Sequence, residues 1–188
     1  MNAFTIPQRM ASEAEACGSH IPVFKALAPV FKPRRVLELG SGLCSTPMFL
    51  DREIFPDLET LVSIENDPVW RLSVGQACGD DDRLTLVLID EPVATFASKM
   101  LIDSFSLVFF DDSRSGAERC DTIRAVGPQM PHNAVAVIHD YEEKQYQDAS
   151  MVFDNQFIFD WLNPATGVCW NGFADHTPTL EALRSGPH

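Results

Sequence analysis

Five apolar runs, each closing on an acidic residue, set the strongest limit on how this chain folds. They read VLELG (36–40), TLVSIEND (60–67), RLTLVLIDE (83–91), FSLVFFDDS (105–113) and NAVAVIHDYE (133–142). Near-continuous Val, Ile, Leu and Phe without polar alternation is the pattern of strands covered on both faces, as in a parallel sheet. The acids Glu38, Glu65, Asp90, Asp111 and Asp140 follow one another at intervals of 27, 25, 21 and 29 residues, close to one strand plus one crossover helix. Between the runs, apolar residues recur at the three- and four-residue steps of helices. The alternation predicts an α/β chain with a doubly wound, mostly parallel sheet. Because parallel strands point the same way, the five carboxylates are expected along one edge, where open α/β sheets bind their ligands.

The flanks complete this picture. IPVFKALAPVF (21–31) places Ile21, Phe24, Leu27 and Phe31 on one helical face, and Pro33 stops the helix ahead of the first strand. YEEKQYQDAS (141–150) is polar and aperiodic, so an exposed loop able to close over a ligand is expected there. NQFIFDWLNPATGVCWNGF (155–173) holds two aromatic-rich runs around a turn and predicts an antiparallel hairpin. HTPTLEALRSGPH (176–188) reads as a short helix and a loose tail. A single domain over 1–188 is expected: an N-terminal helical segment (1–33), a βα core (34–142), and a loop, hairpin and tail (143–188).

Charge narrows the partners. The 27 acidic residues against 14 basic ones give a net charge of -13, which repels a phosphate backbone and an anionic bilayer, so neither nucleic acid nor a membrane is an expected partner. Five widely spaced cysteines, without a CxxC pair, read as reduced thiols of a cytoplasmic protein. The first twenty residues lack the basic and apolar regions of a secretion signal, and no apolar run approaches the roughly 18 residues of a membrane span.

The turn after the first run carries the chemistry. Gly40 and Gly42 permit a tight turn with backbone N–H groups close to a ligand, and the helix beginning near Ser45 presents its positive end. A dinucleotide fingerprint wants a third glycine where Ser45 stands, and Glu38 would repel a pyrophosphate. The same glutamate would attract an ammonium or sulfonium. The turn therefore suits a nucleoside attached to a cation.

On these residues the chain resembles the class I S-adenosylmethionine-dependent methyltransferases. VLELGSGLCST is similar to their first motif, especially in small catechol O-methyltransferase-like members, with Cys44 in place of the third glycine. The likeness runs from about Phe24 to Tyr141 and implies a Rossmann-like, doubly wound sheet with a C-terminal antiparallel hairpin. It implies that Glu38, with Gly40, Ser41 and Gly42, holds the methionine end of S-adenosylmethionine. Glu65 would bind the ribose hydroxyls, with Asn66 and Asp67 nearby, and Asp90, helped by Glu91, would meet the adenine. Asp111 lies where the family places methyl transfer, faced by His139 and Asp140. His139 is the candidate base, and Asp140 or Asp111 would orient the acceptor. Asp111 and Asp140 also match two ligand positions of the cation-dependent O-methyltransferases, so magnesium or calcium is a candidate partner, with Tyr141 standing where an asparagine ligand is expected.

The expected reaction is methyl transfer to oxygen or nitrogen of a small neutral or cationic acceptor. The alternatives are an NAD(P)-dependent oxidoreductase, which lacks its Tyr-x-x-x-Lys pair here, and a methyltransferase-like module that binds without turnover. Self-association is compatible with the sequence but is not written in it.

Overall fold

A computed structural model describes residues 18–113 and 115–184. The stretch read for targeting, Cys17 and the last four residues of the tail lie outside the described residues. The chain runs α1 (Ile21–Phe31), β1 (Arg35–Leu39), α2 (Ser45–Phe49), β2 (Thr60–Glu65), α3 (Pro68–Cys78), β3 (Leu84–Leu88), α4 (Val93–Ala97), β4 (Leu107–Phe110), α5 (Gly116–Val126), β5 (Val135–His139), α6 (Lys144–Ala149), β6 (Asn155–Phe159), β7 (Thr166–Trp170) and α7 (Thr177–Arg184).

Seven strands form one sheet in the order β3-β2-β1-β4-β5-β7-β6. β1 to β5 are mutually parallel, and β7 runs antiparallel between β5 and β6. Strand order reverses between β1 and β4, which opens a crevice at their carboxyl ends.

Alternation along the central strands feeds two cores. Val36, Leu107, Phe109, Val135 and Val137 pack on one face with Phe24 and Leu27 of α1, Phe49 of α2 and Leu180 of α7. Leu37, Val108, Phe110, Ala136 and Ile138 pack on the other with Ala97 of α4, Ile123 of α5 and Ala149 of α6. Covering both faces is why these strands read as unbroken apolar runs. β3 departs from that expectation. As an edge strand it is only partly covered, and Leu88 is 47% exposed.

The predicted loop at 141–150 is corrected. It holds α6 and a 3₁₀ turn over Ser150–Val152, and it buries Tyr141, Tyr146, Ala149 and Ser150. Lys144 pairs with Asp148 one turn away on the outside at 2.7 Å. A six-residue helix offers too few apolar positions for its period to be read, and its packing on α5 argues against a closing lid. Among the described residues, no helix is long and apolar enough to cross a membrane.

Candidate functional site

The β1–α2 turn is built around a buried carboxyl. Glu38 is 0% exposed, and its Oε2 accepts hydrogen bonds from Thr46 Oγ1 (2.6 Å) and Ser63 Oγ (2.5 Å). Its Oε1 is buried without a partner. Burial pushes the Glu38 pKa up to about 7 against the hydroxyls of Ser45, Ser63 and Thr46. Ser41 bonds Ser63 at 2.8 Å, and the Gly42 N–H donates to Thr46 Oγ1 at 3.0 Å, so the turn is tied to both β2 and α2. Gly40, at φ +89°, passes so close to β4 that a Cβ there would lie 2.4 Å from the Asp111 carbonyl oxygen. That close approach, which only glycine allows, lets the turn and the β4 tip share one cavity.

This cavity, of about 720 Å³, lies at the switch point and is lined by the 40–45 turn, Glu65, Asn66, Trp70, Asp111, His139 and Asp140, among others. Glu65 Oε1 accepts the N–H groups of Asn66 (2.7 Å) and Asp67 (2.8 Å), which fixes the carboxylate at the β2 tip. Asp67 in turn caps α3 through the N–H groups of Val69 and Trp70. Trp70 reaches back, and its Nε1–H donates to Ser41 O at 2.6 Å. Asp90 and Glu91 line an adjoining cavity of about 470 Å³ that shares Asn66, Val93, Asp112 and Ser113 with the first. Glu91 is bonded there to Lys99 at 2.6 and 2.8 Å.

The opposite wall is organised by a buried cation. Arg119 of α5 is 4% exposed; its Nη2 lies 3.0 Å from Asp111 Oδ1 and its Nη1 2.8 Å from Asp140 Oδ2. It also donates to the carbonyl oxygens of Asp112, Ser113 and His139 at 2.9, 3.2 and 3.3 Å. Asp140 stands at φ +56° between β5 and Tyr141. His139 Nδ1 is 3.2 Å from Asp111 Oδ1, and its Nε2 lies 2.9 Å from Ser19 Oγ. Both ring nitrogens of the predicted base are therefore engaged within the protein. Burial works to raise the Asp111 pKa, but His139 and Arg119 outweigh it and hold it below the ordinary value. For His139 burial works downward, and the Asp111 carboxylate prevails and raises the pKa.

Arg119 bridges Asp111 and Asp140, so a hard divalent cation between them would have to displace its guanidinium. Tyr141 offers no third oxygen there. Its hydroxyl bonds Ser150 (2.6 Å) and Gln156 (2.9 Å), and burial pushes its pKa well up. A different donor set lies beside it: His20, Asp111 and His139 present ligand atoms all within 4.8 Å of one another.

Sequence reasoning missed Ser19, His20, Trp70 and Arg119. Arg119 carried a readable signal, since it lies on the same helical stripe as Ile123 and Val126, four and seven residues on, both fully buried. Ser19 and His20 precede α1 and reach the site only through the packing of that helix on β4 and β5.

No protein-family model and no curated protein matches the chain. Solved structures match its fold. Human methyltransferase-like protein 13, in complex with SAH, aligns with a TM-score of 0.60 at 15% identity over 92% of this chain and 93% of its own. A methyltransferase from Geobacter sulfurreducens aligns with a TM-score of 0.59 at 18% identity, covering 86% and 87%. MycE, of the mycinamycin biosynthetic pathway, in complex with Mg, SAH and mycinamycin VI, aligns with a TM-score of 0.61 at 14% identity; it matches 92% of this chain, which covers 58% of MycE. The chain has the fold of the class I methyltransferases.

Proposed function

We propose that this chain, carrying the class I methyltransferase fold, is an S-adenosylmethionine-dependent methyltransferase acting on oxygen or nitrogen of a small neutral or cationic molecule. The observation that carries the reading is the cavity of about 720 Å³ at the sheet's switch point, where the glycine turn meets Glu65 and Asp111. The acids lining this cavity disfavour the pyrophosphate of a dinucleotide, whereas they suit the α-ammonium of a methionine moiety. Gly40, Ser41 and Gly42 lie along the same moiety. Glu65, fixed by two backbone N–H groups, accepts from the ribose hydroxyls with Asn66 alongside, and the second cavity with Asp90 and Glu91 takes the adenine.

When bound, S-adenosylmethionine supplies a sulfonium methyl for in-line displacement. The protein's part is positioning: holding donor and acceptor at contact contributes roughly 7–11 kcal/mol of the barrier. Asp111 and Asp140, fixed by Arg119, orient the acceptor. The acceptor's proton leaves toward the Asp111–His139 pair, and proton removal of this kind adds on the order of 10² to 10⁴-fold. The acidic rim favours a neutral or cationic acceptor, in a cytoplasmic setting without nucleic acid or membrane.

Calorimetric titration with S-adenosylhomocysteine and NAD in parallel tests the reading. S-adenosylhomocysteine should bind and NAD should not, and Glu65→Gln should weaken the former by about 1.5–3 kcal/mol, roughly 10- to 150-fold. Binding of NAD in its place, or unchanged affinity in the variant, would overturn the assignment.

A further inference from the structure

His20 precedes α1 and is 1% exposed, yet neither ring nitrogen has a hydrogen-bond partner. The imidazole stands edge-on to His139 at 5.0 Å between ring centroids and packs on Phe24 and Phe109. A buried imidazole with two unsatisfied nitrogens is costly, and phenylalanine would fill the same space without that cost. The ring also lines the main cavity, together with Asp111 and His139.

We infer that His20, His139 and Asp111 form a binding site for a divalent first-row transition cation such as zinc or iron, which shares the Asp111 carboxylate with Arg119. Two imidazoles and one carboxylate are a donor set that suits such ions and leaves open positions toward the cavity. Two nitrogen or oxygen ligands at about 2.0–2.1 Å from a tetrahedral ion stand about 3.3 Å apart. His139 Nδ1 and Asp111 Oδ1 are 3.2 Å apart, already the spacing that two ligands of one ion need, and the His20 ligand atom lies within 4.8 Å of both. His139 then carries its proton on Nε2 and donates it to Ser19 Oγ, 2.9 Å away, the outer contact that orients a ligating imidazole. Magnesium is excluded by the same chemistry, since it prefers an oxygen cage.

The inference does not rest on methyl transfer, and its test needs no turnover. Chelator-stripped protein is titrated with Co²⁺ and separately with Mg²⁺, following heat and the visible absorption of Co²⁺. One Co²⁺ per chain should bind with the spectrum of a four- or five-coordinate nitrogen–oxygen site, and Mg²⁺ should give no heat. His20→Phe should melt at the same or a higher temperature than wild type without metal and lose at least tenfold in Co²⁺ affinity. Should that variant not fold, His20→Leu answers the same question. No Co²⁺ binding by wild type, unchanged affinity in the folded His20 variant, or equal binding of Mg²⁺ each overturns the site. Failure to bind S-adenosylhomocysteine would leave it standing.

Discussion

Arg119 Nη1 lies 2.8 Å from Asp140 Oδ2 at the tip of β5, where Asp140 takes a left-handed φ of +56°, a conformation more open to aspartate than to most residues. The same guanidinium holds Asp111 at the tip of β4. One buried cation from a crossover helix thus spaces two strand tips that would otherwise repel each other.

Removing that cation leaves two carboxylates uncompensated. Arg119→Ala is expected to lower stability by about 3–5 kcal/mol, as for other broken buried pairs. It also opens the gap between Asp111 and Asp140, so millimolar Mg²⁺ should raise the melting temperature of the variant while leaving wild type unchanged. Mg²⁺ stabilisation of wild type to the same degree would show that Arg119 does not occupy the cation's place.

Glu38 and Asp112 give the protein a pH dependence of unusual sign. Burial pushes both carboxyls up to about 7, so the native state prefers them protonated. Their stabilising contribution is complete below the ordinary carboxylate range and is lost as pH rises through about 7, on the order of 3 kcal/mol for each. His20, whose native pKa is depressed, acts oppositely: its contribution is present above about 6.5 and lost as pH falls toward 3. The Glu38 share is isolated by urea denaturation of wild type and Glu38→Gln across pH 4 to 8, where the difference should move against wild type as pH rises. If the ligand's ammonium sits near enough to the buried Glu38 to favour its ionised form, S-adenosylhomocysteine should bind more tightly above pH 7 and release a proton below it; a flat profile would show that Glu38 does not sense the ligand.

Two glycines with positive φ separate strain from collision. A Cβ at Gly79 (φ +68°) meets nothing within 4 Å, so Gly79→Ala should cost about 1 kcal/mol of backbone strain. At Gly40 the Cβ runs into the backbone of Asp111 and Asp112, so Gly40→Ala should cost more than about 2 kcal/mol and abolish S-adenosylhomocysteine binding. Denaturation and calorimetry on both variants check the contrast, and equal losses would show that the close approach carries no weight.

Sequence alone determined the sheet and the rim of acids. Unbroken apolar runs favour burial on both faces, which all but the edge strand β3 achieve, and the shared direction of parallel strands brings Glu65, Asp111 and Asp140 to one cavity, with Glu38 buried inside β1. The hairpin was legible for the same reason, since β6 and β7 flank a turn of fixed chemistry. Tertiary structure decided the rest, because the states of these groups depend on neighbours distant in the chain. Glu38 is buried within the fold, which raises its pKa, and is held there by Ser63, 25 residues away. His139 lost its freedom to Ser19, 120 residues away, and the gap expected to hold a cation went to Arg119. Hydrophobic periodicity acts along the chain and can be read there, whereas desolvation and charge pairing act through space and exist only after packing.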